Sequence, residues 1–143
     1  MGIMRVKKVS AGVLLNSKSE VLLQLRDAKS SIRSPGMWSF PGGCKKFYET
    51  PLSAVKREVR EETNIVLEKP KYFLSIHDSF EEGSIVTVDF FVERLREPFE
   101  IILGEGQELK FFSPKELKNL YCNIYLAMVV DYAEIFLNKS SRE

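Results

Sequence analysis

The chain has 143 residues, enough to bury a core of ordinary size without disulfide or metal staples. A hydrophobic fraction of 44% against 29% charged excludes wholesale disorder. With 21 Lys+Arg against 20 Asp+Glu the net charge is +1, so no basic excess exists to hold nucleic acid or anionic lipid.

In chain order, the start places basic residues before a short apolar run, as a secretory leader does. That run ends at Asn16, and no small-residue cleavage site follows. No apolar stretch approaches the roughly 20 residues that span a bilayer. Two cysteines, Cys44 and Cys122, cannot build a metal cluster and fit a reducing compartment. The expectation is a cytoplasmic protein with residues 1–143 in one domain, and without membrane or nucleic-acid partners. Residues 9–15 and 21–25 are β-rich runs around the polar turn Asn16-Ser17-Lys18-Ser19, which predicts a hairpin. After the polar stretch 27–35, Met37-Trp38-Ser39-Phe40-Pro41-Gly42-Gly43 reads as an irregular loop with exposed backbone.

Thr50-Pro51 opens a helix, because Thr caps free amides and Pro suits the first helical position. Leu52, Val55 and Val59 give it a buried face, and Asn64 stands where a left-handed cap ends it. Residues 72–80 and 85–95 are strand candidates joined across 81–84, and 99–103 and 109–112 read as two more. Ser113-Pro114-Lys115-Glu116 has capping-box spacing, and an amphipathic helix follows over 123–137. Strands around one central helix, with a helix at the end, predict an α+β fold.

The chemistry concentrates on the central helix. Glu58, Glu61 and Glu62 stand at i, i+3 and i+4 and share a surface, where each close pair of like charges costs a few tenths of a kcal/mol. Arg57 can offset Glu61 at i+4, but not all three. Converging carboxylate oxygens are what a hard cation such as Mg²⁺ requires. A solvated charged face is the commoner cause of such a run. Three features count against it here. Glu61 and Glu62 fall in the last turn, where the helix dipole disfavours negative charge. The turn Pro41-Gly42-Gly43 could offer a carbonyl ligand. Glu49 sits just before the helix, within reach of Arg57 or the acids.

This segment resembles the Nudix box, G-x5-E-x7-R-E-U-x-E-E-x-G-U with U aliphatic. Gly43, Glu49, Arg57, Glu58, Val59, Glu61, Glu62 and Ile65 fall in register. Asn64 replaces the glycine, and Asn also adopts the left-handed cap. Trp38-Ser39-Phe40-Pro41-Gly42-Gly43 resembles the family's lead-in, Leu22-Leu23-Gln24-Leu25-Arg26 its preceding strand, and Glu105-Gly106-Gln107 the acidic loop of MutT-type members.

The resemblance implies an α/β/α sandwich around a mixed sheet, with the box helix carrying the metal site. It implies Mg²⁺, or Mn²⁺ in its place, held by Glu58, Glu61, Glu62 and the Gly42 carbonyl. Arg57 and Glu49 would orient the acids, with Glu58 or Glu105 as the base. Arg26 would meet substrate phosphates, and Asn123 would read a base edge or cap the last helix. The implied activity is hydrolysis of a nucleoside diphosphate linked to a further group. A MutT-like pyrophosphohydrolase releasing NMP and pyrophosphate comes first, with ADP-ribose or another nucleotide sugar as the alternative substrate. A non-catalytic nucleotide sensor is the alternative of another class. His77, the one histidine, and Cys44 read as structural, and Phe90, Phe91, Phe111 and Phe112 as core.

Overall fold

The structure, a computed structural model, describes residues 5–29, 34–81 and 84–140. Parts of two expected features, the polar loop at 30–33 and the turn at 82–83, lie outside the described residues. The elements run β1 (Arg5–Leu15), β2 (Val21–Leu25), β3 (Trp38–Ser39), β4 (Gly42–Cys44), α1 (Pro51–Thr63), β5 (Lys71–Glu81), β6 (Ser84–Arg94), β7 (Glu108–Phe112), α2 (Pro114–Leu117) and α3 (Leu126–Ser140). No described helix is long and apolar enough to cross a membrane.

The seven strands form one mixed sheet with the path β3-β2-β1-β6-β5, to which β4 adds on β1 and β7 on β2. Its spine is the parallel pairing of β1 with β6, unbroken from Arg5↔Ser84 to Leu15↔Arg94. Both faces of this spine are covered, so β1 carries apolar residues in succession rather than in alternation. Val13 and Leu15 join Val86, Phe90, Val92 and the α3 residues Leu126, Val129, Val130 and Ala133 in one core. Leu14 turns the other way, to Leu22, Val55, Val59, Ile65 and Phe91 beneath α1. Each such side chain, fully buried, contributes roughly 1.5–3 kcal/mol over exposure. The α+β sandwich expected from the sequence is therefore present.

Five local expectations need correcting. Strands β1 and β2 pair only at Leu15↔Val21 and then diverge, because β2 takes β7 as its ladder partner from Val21↔Phe112 to Leu25↔Glu108. The gap beside β1 is filled by β4, so the expected irregular loop contains two short strands. Residues 99–103 form no strand; the Ile102 and Gly104 amides instead donate to Thr63 O and Glu62 O at 3.0 and 2.9 Å. They satisfy carbonyls that the end of α1 leaves open. Leu52 is 41% exposed, and Ala54 takes the buried place beside Val55 and Val59. The last helix begins at Leu126, and Asn123 lies in the turn before it.

Helix α1 ends as its sequence requires. Asn64 adopts the left-handed conformation at φ 70°, its amide donates to Arg60 O, and its Nδ2 donates to Glu100 O at 3.1 Å. We expect Asn64→Ala to cost about 1–2 kcal/mol in denaturant unfolding, since Ala gains nothing locally in that conformation. Asn64→Gly should cost much less, and equal losses in the two variants would refute a conformational role.

Candidate active site

Helix α1 is fixed at its start by a reciprocal capping box between Thr50 and Ser53, with Pro51 in the first turn. It packs across β1 and β4, and this sets Glu58 and Glu62 against the glycine pair of β4. The contact at Gly43 is close: a Cβ there would lie 2.6–2.7 Å from the Glu58 carboxyl atoms. Only glycine leaves room for that carboxylate.

Arg57 organises the acids. Its Nε and Nη2 donate to the two oxygens of Glu49 at 2.7 and 2.9 Å, a bidentate pair. Nη1 donates to Glu58 Oε1 at 2.9 Å and to Glu61 Oε2 at 3.2 Å, and Nη2 also reaches Cys44 O at 3.3 Å. The Glu49 side chain is almost covered, at 7% exposed. The hydrogen bonds from Arg57, and then from the Lys46 amide, hold its carboxyl down at about 2.

Glu62 is the exception. It is 3% exposed and has no basic partner among the described residues. The Gly42 amide reaches its Oε2 only weakly, at 3.4 Å. Burial, and after it the charge of Glu58, push its carboxyl up to about 8, and the Glu105 charge adds to the shift. Glu61, by contrast, is half-exposed at 53% on the Arg57 flank. The three helix acids therefore do not converge equally: Glu58 and Glu62 share a hydrogen bond, and Glu61 stands beside them. No three His, Cys, Asp or Glu side chains among the described residues form a ready-made ligand set. The chemistry of the donors nevertheless fits a hard divalent cation: all are oxygens, and one of the carboxyls, Glu62, is buried without a basic partner among the described residues.

Glu105 is brought to this place by its backbone. The Gly104 amide donates to Glu62 O, Gln24 Nε2 to Glu105 O at 2.9 Å, the Gln107 amide to Leu25 O at 2.8 Å, and Gln107 Nε2 to Arg26 O at 2.7 Å. A Cβ at Gly104 would overlap Glu61 O. The loop is thus pinned between the end of α1 and β2. Gln24 and Gly104 were missed from sequence. The available signal for Gln24 was a polar residue, now only 5% exposed, inside the apolar strand VLLQL.

On the other side of Gly42 and Gly43 lies a cavity of about 390 Å³. Its wall includes Trp38, Phe40, Phe90 and Tyr125, with Arg26 and Asn123 at polar positions. Phe40 meets Phe90 edge-on at 5.5 Å, and Trp38 meets Phe112 edge-on at 4.7 Å, so these rings are held by packing. Asn123 Oδ1 accepts the Tyr125 amide at 3.2 Å, so its turn-forming role is present alongside its place in the wall. The structure therefore gathers Glu49, Arg57, Glu58, Glu61, Glu62 and Glu105 on one side of the glycine pair, and Gly42 borders both sides. Arg26 and Asn123 lie on the cavity side. His77 pairs with Thr87 Oγ1 at 2.8 Å and belongs to neither group.

The NUDIX domain profile matches residues 6–128. The chain belongs to the Nudix family. The 8-oxo-dGTP diphosphatase of Proteus vulgaris is 32% identical over 84 residues, covering 59% of this chain and 72% of that protein. With that relative the chain is a Nudix pyrophosphohydrolase of the MutT type. The protein of the same name from Escherichia coli K12 is 29% identical over 91 residues, covering 64% and 69%. The crystal structure of a MutT protein from Methanosarcina mazei Go1 superposes with a TM-score of 0.78 over 98% of this chain and 99% of that one. At 23% identity that likeness speaks for the Nudix fold alone.

The two shifted carboxyls give opposite pH signatures in the metal-free protein. Glu62 keeps its proton in the folded state up to about pH 8, whereas an unperturbed carboxyl loses it near 4.5. Its contribution to stability is complete below 4.5 and is lost as pH rises through 8. Glu62→Gln should flatten that decline in urea unfolding, and an unchanged slope would contradict the assignment. Glu49 contributes stability above 4.5 that is lost as pH falls toward 2. Glu49→Gln should reduce the acid-side loss in urea unfolding, leaving the part that Glu116 contributes through its hydrogen bonds with Ser113.

Proposed function

We propose that this chain is a Mg²⁺-dependent, MutT-like nucleoside triphosphate pyrophosphohydrolase that releases a nucleoside monophosphate and pyrophosphate. The observation that carries this reading is the meeting, across Gly42 and Gly43, of an aromatic-walled cavity with an acid pair whose buried member, Glu62, has no basic partner among the described residues. A cavity with ring walls and a few polar groups suits a nucleobase. An all-oxygen acidic face suits a cation-bound phosphate chain. A nucleoside triphosphate has one of each, joined at the right ends.

Glu58, Glu61 and Glu62, with the Gly42 carbonyl, would hold Mg²⁺, and Mn²⁺ could take its place. When bound, the ion supplies positive charge to the phosphates and lowers the pKa of a coordinated water. The protein's own groups do the rest. Arg57, anchored on Glu49, holds Glu58 and Glu61 in place. Glu58 or Glu105 would accept the proton of the attacking water. Arg26 contacts the phosphates from the cavity side. Asn123, with Oδ1 already accepting the Tyr125 amide, offers its Nδ2 hydrogens to an acceptor on the base. The names of the two bacterial relatives make 8-oxo-dGTP the first substrate to test.

The test is product analysis by anion exchange after incubation with Mg²⁺ and a panel of canonical and 8-oxo nucleoside triphosphates, ADP-ribose and dinucleoside polyphosphates. Monophosphate plus pyrophosphate from a triphosphate, abolished in Glu62→Gln, supports the proposal. AMP from ADP-ribose with triphosphates untouched would replace it with a nucleotide-sugar activity. Mg²⁺-dependent binding with no product would replace it with a sensor. Arg57→Lys should lower kcat by about 10²-fold, because an ammonium cannot hold Glu49 in two-point contact while also positioning Glu58.

A further inference from the structure

Ser10, in β1, is 1% exposed, and its Oγ has no hydrogen-bond partner among the described residues. Leaving a buried hydroxyl unmatched is unfavourable, so its retention needs a reason. The register supplies a direction. Ser10 pairs with Gly43 across β1 and β4, and cross-strand partners direct their side chains to the same face. That is the α1 face, where a Cβ on Gly43 would meet the Glu58 carboxyl. Two residues along β1, a Cβ on Gly12 would likewise meet Val59 and Val55 of α1. Cross-strand Cβ atoms lie about 4.5–5.5 Å apart, so the Ser10 side chain and the Glu58 carboxylate are neighbours on the α1 face of β1 and β4, with no direct hydrogen bond between them in the metal-free protein. On the opposite side Ser10 is registered with Asp89 of β6, but Asp89 Oδ1 already accepts the Ser75 hydroxyl at 2.5 Å.

We propose that the Ser10 hydroxyl is a positioning donor for Glu58, set beneath α1 to hold that carboxylate in the arrangement a divalent cation needs. This rests on the cation reading of the acid pair. Arg57 holds Glu58 through Oε1, and Ser10 would donate to it from the sheet side once the cation draws the carboxylate into place. Ser10 does not touch the reacting atoms; it acts through Glu58.

The proposal separates from a packing role by sign. A hydroxyl that serves the loaded site but lacks a partner in the metal-free protein destabilises the metal-free fold and strengthens metal binding. The experiment is calorimetric titration of the whole chain with Mn²⁺, together with melting curves with and without Mn²⁺, for wild type, Ser10→Ala, Ser10→Cys and Glu62→Gln. We expect both Ser10 variants to bind Mn²⁺ about tenfold more weakly, the usual effect of losing an outer-sphere partner. Their metal-free melting temperatures should equal or exceed that of wild type, and the increment from Mn²⁺ should shrink. Unchanged Mn²⁺ affinity, or a lower metal-free melting temperature with an unchanged Mn²⁺ increment, would overturn the proposal. Wild type and Glu62→Gln titrating identically would overturn the cation reading itself, and that result is separate from any effect at Ser10.

Discussion

One guanidinium organises the candidate site. All five N–H donors of Arg57 are engaged: three reach Glu49 and Glu58, one reaches Glu61, and one reaches the Cys44 carbonyl. A single cation thereby ties the loop before α1, the end of β4 and two successive turns of the helix into one unit. Three carboxylates around one guanidinium form a network with low conformational freedom, in which each member holds the next. It also leaves an imbalance. Arg57 has no donor left for Glu62, the acid that burial penalises most.

That imbalance explains the form of the surroundings. Glycine at 43 lets the Glu58 carboxylate lie against β4, and glycine at 104 lets the loop carrying Glu105 close over the end of α1. The segment 101–107 gives up strand pairing and uses its amides on the helix terminus and on β2. Stability is surrendered locally to bring like charges together, and the long β1–β6 ladder with two packed faces is the scaffold that tolerates it. A fold that merely exposed a charged helix face would turn Glu62 to water; here it is 3% exposed.

What could be read from sequence divides along physical lines. Local chemistry was legible: the Thr50-Pro51 start, the Asn64 end, the Ser113 capping box and the Arg57–Glu61 pair all depend on residues within four positions of one another. For Glu49, eight positions before Arg57, the helix start left two partners open, Arg57 or the acids, and the structure pairs it with Arg57. Long-range pairing was not legible. Nothing in residues 9–25 states that β2 prefers β7, because that choice is made by Phe111 and Phe112 some ninety residues later. The apolar run at 99–103 resembles a strand by composition, and only the open carbonyls of α1 decide otherwise. The same limit hid Gln24, Gly104 and Ser10, each defined by a partner distant in sequence. The difference between Glu61 and Glu62 was also invisible, since helical spacing places both near Glu58 and only the sheet beneath decides which is buried.

The divalent-cation site proposed at the acid pair against Gly42 and Gly43 is tested most directly by anomalous diffraction from crystals of the whole chain soaked in Mn²⁺. An anomalous peak bounded by the Glu58 and Glu62 carboxylates and the Gly42 carbonyl, with Arg57 still on Glu49, is the expected result. Crystals that show no peak there, or manganese bound only elsewhere on the surface, would contradict it.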